Sequence, residues 1–467
     1  MATGTTDSTD QAGPSGAPGP GGVRFDDITA TRRPPGPRLP TAVQTLLFGS
    51  FRHRWLPRLR ARYGDVVRLR IYPNRSVVQL ADLEHIRAVF GGSPALMHAG
   101  EGNAILKPLM GPHSVLLTDE NEHRRTRRLL MPAFNGAALR GYREMMTDLA
   151  EREVRRWPAS RPIRAHERMQ ALTLEIILRV VFGVAEGARL DELRTLLRRV
   201  VDVGPLDMIG WYNRTLQRIG PWRRYTRQAR RVDELLYAEI AERRAAADVA
   251  DRGDVLSRLL TASRTAAADG EAEPLSDAEL RDQLVTLLLA GHETTATALA
   301  WALHELAADP ARLARARRAA DESDETYLEA VAKESLRLHP VVAEVARRVT
   351  RDIEIGGYRI PAGHTVMPSI ALVHADAGHH PDPTRFSPER FLDSGPATGT
   401  WFPFGGGARR CLGAGFSLLE STIVLRAVLS HHHLTPGRRR AEGTKARNIT
   451  LVPAHGVRLV PTPRHTG

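Results

Sequence analysis

The sequence predicts a mainly α-helical protein with small β-sheets. Residues 276–306 hold the longest helical pattern in the chain, and 138–200 read as amphipathic helix with frequent Arg/Glu pairs. Residues 64–72 (GDVVRLRIY) alternate apolar and polar as a half-buried strand does, and 76–80 (SVVQL) offer a partner strand. Residues 353–368 (IEIGGYRIPAGHTVMP) read as paired short strands with glycine turns. The 467 residues, 42% of them hydrophobic, are ample for a large core.

Taken in order, residues 1–30 are rich in Gly, Pro, Ser, Thr and Asp and are expected to be a disordered tail, with the folded part spanning 31–467. Pro34-Pro35-Gly36-Pro37 marks the entry to it. Helical periodicity starts near Asp82, and 91–118 are irregular. In 120–134, His123 and Arg127 are four apart and share one helical face. From Val201 to Tyr225 glycine and proline interrupt the pattern. Asp277 is a candidate cap for the long helix. Inside that helix Gly291 costs about 1 kcal/mol relative to Ala, so it needs a packing or functional reason. Glu334 and Arg337 are three apart and can pair side by side. Pro340 ends their helix. His431-His432-His433 is read as a solvated loop rather than a metal tract.

Net charge is +13 and lysine is nearly absent (Lys107, Lys333, Lys445), so arginine supplies almost all positive charge. Aromatics are 5% and the arginines are scattered among acids, which argues against nucleic acid. No stretch reaches the roughly 18 apolar residues a membrane span needs, and no signal pattern opens the chain. The expectation is a soluble, cytoplasmic monomer.

Cys411 is the only cysteine. It can form neither an internal disulfide nor a multi-thiolate metal site. A core thiol, a nucleophile, and one thiolate on a metal held by a cofactor remain. Its surroundings, FGGGARRCLG at 404–413, favour the last. Gly405, Gly406 and Gly407 allow tight turns and close approach to a flat ligand. Arg409 and the helix predicted after Gly413 are expected to favour the thiolate.

Phe404, Gly407, Arg409, Cys411 and Gly413, at these spacings, resemble the haem-ligand loop of cytochrome P-450. Three more motifs follow the family's order: His123 and Arg127; Ala290-Gly291-His292-Glu293-Thr294-Thr295; and Glu334-Ser335-Leu336-Arg337 with Arg390. The resemblance covers roughly 35–460. It implies one large fold, an α-rich domain with a β-rich N-terminal portion, that binds haem b (iron protoporphyrin IX) with Cys411 as iron ligand. It implies that His123, Arg127, Arg409 and Arg347 (or Arg348) reach the propionates, and that Phe404 packs near the sulfur. Ala290 and Gly291 leave room for dioxygen. Glu293 and Thr294 relay protons, while His292 is a polar helix residue rather than a metal ligand. Glu334, Arg337 and Arg390 serve folding and haem retention.

The implied activity is oxygen-dependent monooxygenation of a lipophilic small molecule, expected in secondary metabolism, with electrons from a ferredoxin and its reductase docking on a basic face around Arg124, Arg125 and Arg128. The competing readings are a peroxide-dependent peroxygenase, against which the retained Glu293-Thr294 pair argues, and a non-catalytic haem-binding scaffold, against which the intact cysteine argues. Met97, Ile105, Leu106, Leu109, Met110, residues 341–345, and Leu206, Met208, Ile209 and Trp211 of an expected lid are candidate pocket residues.

Overall fold

The computed structural model describes residues 22–73, 76–183, 187–201, 215–270, 273–392, 395–438 and 440–464. Most of residues 1–30 and the expected lid residues Leu206, Met208, Ile209 and Trp211 lie outside them. Val23 does not: it is 2% exposed and, with Arg24, forms β1 (Val23–Arg24), paired antiparallel with Ile355 and Glu354. Order therefore begins before the boundary expected at residue 30.

The N-terminal part is α1 (Thr41–Tyr63), β2 (Val66–Leu69), β3 (Val77–Leu80), α2 (Leu83–Gly91) and β4 (Met97–His98). β2 and β3 pair antiparallel with Val66 opposite Leu80, as the alternation predicts. Asp82 caps α2 by accepting from the His85 amide at 2.9 Å. The irregular stretch that follows holds two single turns, α3 (Ala99–Gly102) and α4 (Lys107–Met110).

The helical body follows: α5 (Glu120–Leu130), α6 (Gly136–Arg155), β5 (Ile163–Arg164), α7 (Ala165–Phe182), α8 (Ala188–Val201), α9 (Gly220–Ala245), α10 (Val255–Ala268), α11 (Asp277–Ala308), α12 (Pro310–Asp321) and α13 (Glu325–Leu338). The amphipathic run 138–200 is thus three helices. One break falls at Gly183, whose φ of +74° ends α7 in the left-handed region glycine tolerates. α11 is capped one residue earlier than expected. The Ser276 hydroxyl accepts from the Glu279 amide while the Glu279 carboxylate accepts from the Ser276 amide, a reciprocal box that Asp277 cannot make.

The C-terminal part adds β6 (Arg347–Val349), β7 (Ile353–Ile355), β8 (Tyr358–Ile360), β9 (Thr365–Pro368), α14 (Ile370–His374), α15 (Ala414–His431) and the strands β10 (His432–Pro436), β11 (Thr444–Arg447), β12 (Thr450–Pro453) and β13 (Arg458–Pro463). β7 and β8 form the expected hairpin, but β9 leaves it for a five-stranded sheet of order β2-β3-β9-β6-β4. The main hydrophobic core is helical, with α11 through its middle, and a second core lies under the sheets. His432 is 4% exposed and stacks on Trp157 with ring centroids 5.4 Å apart, so the triple histidine is not a solvated loop at its centre. No group of three His, Cys, Asp or Glu able to hold a metal occurs among the described residues.

Candidate active site

The loop before α15 is shaped by glycine. Gly405 and Gly407 have φ of +69° and +63°, and a Cβ on Gly407 would sit 1.8 Å from the Phe90 carbonyl oxygen at the end of α2. Only glycine lets the loop cross α2 this closely. The Cys411 amide donates to the Phe404 carbonyl at 2.9 Å, which turns the loop back on itself. The Phe404 ring packs with Trp401 and Leu418 against Ala298, Leu336 and Val341. That contact draws the loop toward α11, and Thr295 Oγ1 on α11 donates to Ser417 Oγ on α15 at 3.1 Å.

Cys411 is exposed at the start of α15. The protein mass around it nevertheless pushes its thiol up from its ordinary value. The Gly413 amide, Arg127 and Arg410 pull the other way without prevailing. Two expectations are corrected here. The thiol is shifted upward rather than toward the thiolate, against the expectation, and metal binding would favour the thiolate. Arg409 is also not the cation the sulfur feels, because its guanidinium donates to Val115 O at 3.2 Å and Thr118 O at 2.6 Å and pairs with Asp119.

Arg409 instead joins a cluster of positive groups. Burial first, then Arg409, Arg127 and Arg347, hold the His123 imidazole down at about 4, so it is a neutral donor at neutral pH. Arg347 is 6% exposed, and burial and Arg409 lower it to about 10 against the pull of Asp119. Arg348 turns outward to Glu101 at 3.1 Å, so Arg347 is the arginine that faces the cluster. Among the described residues neither Arg127 nor Arg347 forms a salt bridge, and Asp119 is the one carboxylate bonded to Arg409. Buried guanidinium groups without counter-charge are costly. A ligand carrying two carboxylates beside Cys411 would settle them, and haem, with two propionates, fits.

α11 packs against α15 beyond the cysteine loop. From Asp282 to Leu303 it is buried except at Ala290, which is exposed, and at Gly291 and Thr294, which are half-buried. Ala290 and Thr294 are four apart and mark one opening in an otherwise packed helix. Gly291 also has a packing reason: a Cβ there would meet Ile177 of α7 at 3.0 Å. Thr294 Oγ1 donates to the Ala290 carbonyl at 2.7 Å, which leaves its oxygen free to accept.

Glu293 is 6% exposed and turned from the opening. Arg447 of β11 donates to it at 3.0 Å, Gln170 of α7 donates to its other oxygen, and His166 Nε2 lies 3.8 Å away. Sequence reasoning missed these three partners because nothing local marks contacts across more than a hundred residues. His292 is 2% exposed, with Nδ1 donating to Leu288 O at 2.6 Å, so it stays neutral, pushed down by burial to about 4. Glu334, 0% exposed, accepts from Arg337 at 2.7 and 2.8 Å, from the Ser387 amide at 2.8 Å and from Arg390 at 3.3 Å, which joins the three expected residues.

The cytochrome P450 family model matches residues 34–457. The chain belongs to the cytochrome P450 family. It is 48% identical over 441 residues to cytochrome P450 135A1 of Mycobacterium tuberculosis, covering 94% of this chain and 97% of that protein. It is 42% identical over 432 residues to cytochrome P450 135B1 of Mycobacterium bovis, covering 91% and 90%. The solved structure of a cyanobacterial CYP120A1 bound to retinoic acid superposes with a TM-score of 0.82 at 24% identity, covering 93% of this chain and all of that one, and shows the shared fold. As a P450, the protein is a haem-iron monooxygenase that uses dioxygen and redox partners. No helix among the described residues is long and apolar enough to cross a membrane.

Other expectations fare unevenly. Met97, Leu106 and Met110 are buried in the cores, which leaves Ile105 and Leu109, both half-buried, as lining candidates. Glu344 turns away to pair with Arg52 at 3.3 Å. Arg125 is tied to Glu279 at 2.7 Å, whereas Arg124 and Arg128 are exposed.

Proposed function

We propose that haem b lies between α11 and α15, with the Cys411 sulfur as its iron ligand and its propionates among His123, Arg127, Arg347 and Arg409. The observation that carries this is the packing of α15, which begins just after exposed Cys411, against α11, whose opening between Asp282 and Leu303 lies at Ala290 and Thr294. Bound haem would supply a redox-active iron for dioxygen activation. The chain supplies the rest. Phe404 shields one side of the sulfur. The Gly413 amide and Arg127 stabilise negative charge on it. Ala290 leaves space for a small molecule.

Thr294 Oγ1, its proton given to Ala290, accepts a hydrogen bond from a group in the opening. Glu293 is the nearby acid that exchanges protons with water once it swings from Arg447. Glu334, Arg337 and Arg390 hold the segment beneath. The substrate is a lipophilic small molecule of secondary metabolism, oxidised in the cytoplasm. Electrons arrive from an acidic ferredoxin, itself served by a reductase, that docks on exposed Arg124, Arg128 and Arg410.

The test is the absorption spectrum of the reduced, carbon monoxide-bound protein. A Soret band at the thiolate position, abolished in Cys411→Ala, supports the reading; a band at the imidazole position in both proteins refutes it. Screening lipophilic compounds for a low- to high-spin shift finds the substrate class. Reduction by ferredoxin should slow steeply with salt, and salt-independent reduction removes the docking face.

A further inference from the structure

Between α8 and the N-terminal half of α9 lies a cavity of about 1260 Å³, whose described lining includes neither Cys411 nor any residue of α11. Among the described residues, seven arginines and one glutamate, Glu234, line it. Arg223, Arg227, Arg230 and Arg231 recur at i, i+4, i+7 and i+8, which makes a stripe about 12 Å long on one face of α9. Arg231 is already engaged, by Glu192 at 2.8 Å and Glu234 at 2.9 Å. Arg218, Arg223, Arg227 and Arg230 are exposed, and neither they nor Arg199 forms a salt bridge among the described residues.

Like charges one helical turn apart repel, so the stripe weakens α9 unless an anion offsets it. The guanidinium fork matches carboxylate and phosphate oxygens in paired hydrogen bonds. A single carboxylate offsets one of these cations, whereas linked phosphates offset several within the same length. Among the described residues the cavity wall includes no aromatic residue to stack a base. The concave shape admits a small ligand more readily than a flat membrane.

We propose that this cavity binds a soluble ligand carrying two or more phosphate groups, gripped by Arg223, Arg227 and Arg230 with Arg199 and Arg218. The proposal does not depend on the haem site. The probe is inorganic pyrophosphate, titrated calorimetrically into the haem-loaded full-length protein at roughly 0.1 M salt, where diffuse surface attraction is screened. Saturable binding is expected, with orthophosphate weaker by about tenfold and R223Q/R227Q/R230Q weaker by about tenfold or more. The charge-matched control R54Q/R58Q/R62Q, on exposed α1 positions, should bind as wild type. An unchanged haem spectrum and helical dichroism show that the variants fold, and the single variant R227Q should show a partial loss. No saturable pyrophosphate binding, or equal loss in the control, overturns the proposal. So does binding to phosphatidylglycerol vesicles without binding of pyrophosphate, which would make the face a membrane contact.

Discussion

Replacing Glu334 by Gln tests how the fold is held beneath the proposed haem site. The Glu334 carboxylate is wholly buried and accepts two bonds from Arg337, one from the Ser387 amide and one from Arg390. Arg337, 1% exposed, also donates to the carbonyls of His374, Pro383 and Arg385 at 3.0, 2.8 and 3.2 Å. Glutamine keeps the volume but removes the charge, and its NH2 would point a donor at a guanidinium. An uncompensated charge left in a buried pair costs about 3–5 kcal/mol, against a total stability of about 5–15 kcal/mol. With a urea dependence near 3 kcal/mol per molar, the unfolding midpoint should fall by about 1 M or more.

Urea titration followed by far-ultraviolet dichroism reads the change, and haem retention should fall in parallel. The double variant Glu334→Leu/Arg337→Leu should lose less than the two single Leu variants added together, because neither Glu334 nor Arg337 is left facing a lost partner, although Arg390 still loses its carboxylate. It should still lose stability, since three carbonyls are left without donors. A Glu334→Gln protein within about 0.5 kcal/mol of wild type, the range of an ordinary surface substitution, would refute the reasoning.

Three further outcomes follow. Thr294→Ala should keep haem bound but divert reducing power to peroxide, lowering product per dioxygen by about tenfold or more; unchanged coupling would remove Thr294 from the proton path. Arg447→Met should take one cation from Glu293, raise its proton affinity and move the pH profile of turnover upward with little change in substrate affinity; an unmoved profile would make the Arg447 pair purely structural. Burial raises Glu344 from 4.5 to about 7, despite Arg52. The folded state therefore holds a proton that the unfolded state releases, and stability from this site falls as pH rises from the unfolded value through the folded one. Relative to wild type, Glu344→Gln should gain about 2 kcal/mol between pH of about 5.5 and 8 in urea titrations; a pH-independent difference would contradict this.

What was legible in the sequence was what is local. The Cys411 loop, the Glu334–Arg337 spacing and the β2–β3 alternation each declare themselves within a few residues. Where position alone set the reading, distant neighbours add to it or change it. At Gly291 the neighbour Ile177 adds a packing reason for smallness that no local pattern shows. Arg409 stands two residues before the cysteine, yet Val115, Thr118 and Asp119 claim its guanidinium. Contacts such as Arg447 with Glu293 and Arg52 with Glu344 join distant segments, and no period or motif announces them. Ser276 took the cap from Asp277 because a reciprocal pair with Glu279 satisfies two amides instead of one.

X-ray absorption at the iron edge of the haem-loaded protein examines the proposed iron–sulfur bond itself. A sulfur scatterer in the first shell, lost in Cys411→Ala while haem stays bound, is the expected result. A first shell of nitrogen and oxygen alone in the wild-type protein would contradict the account.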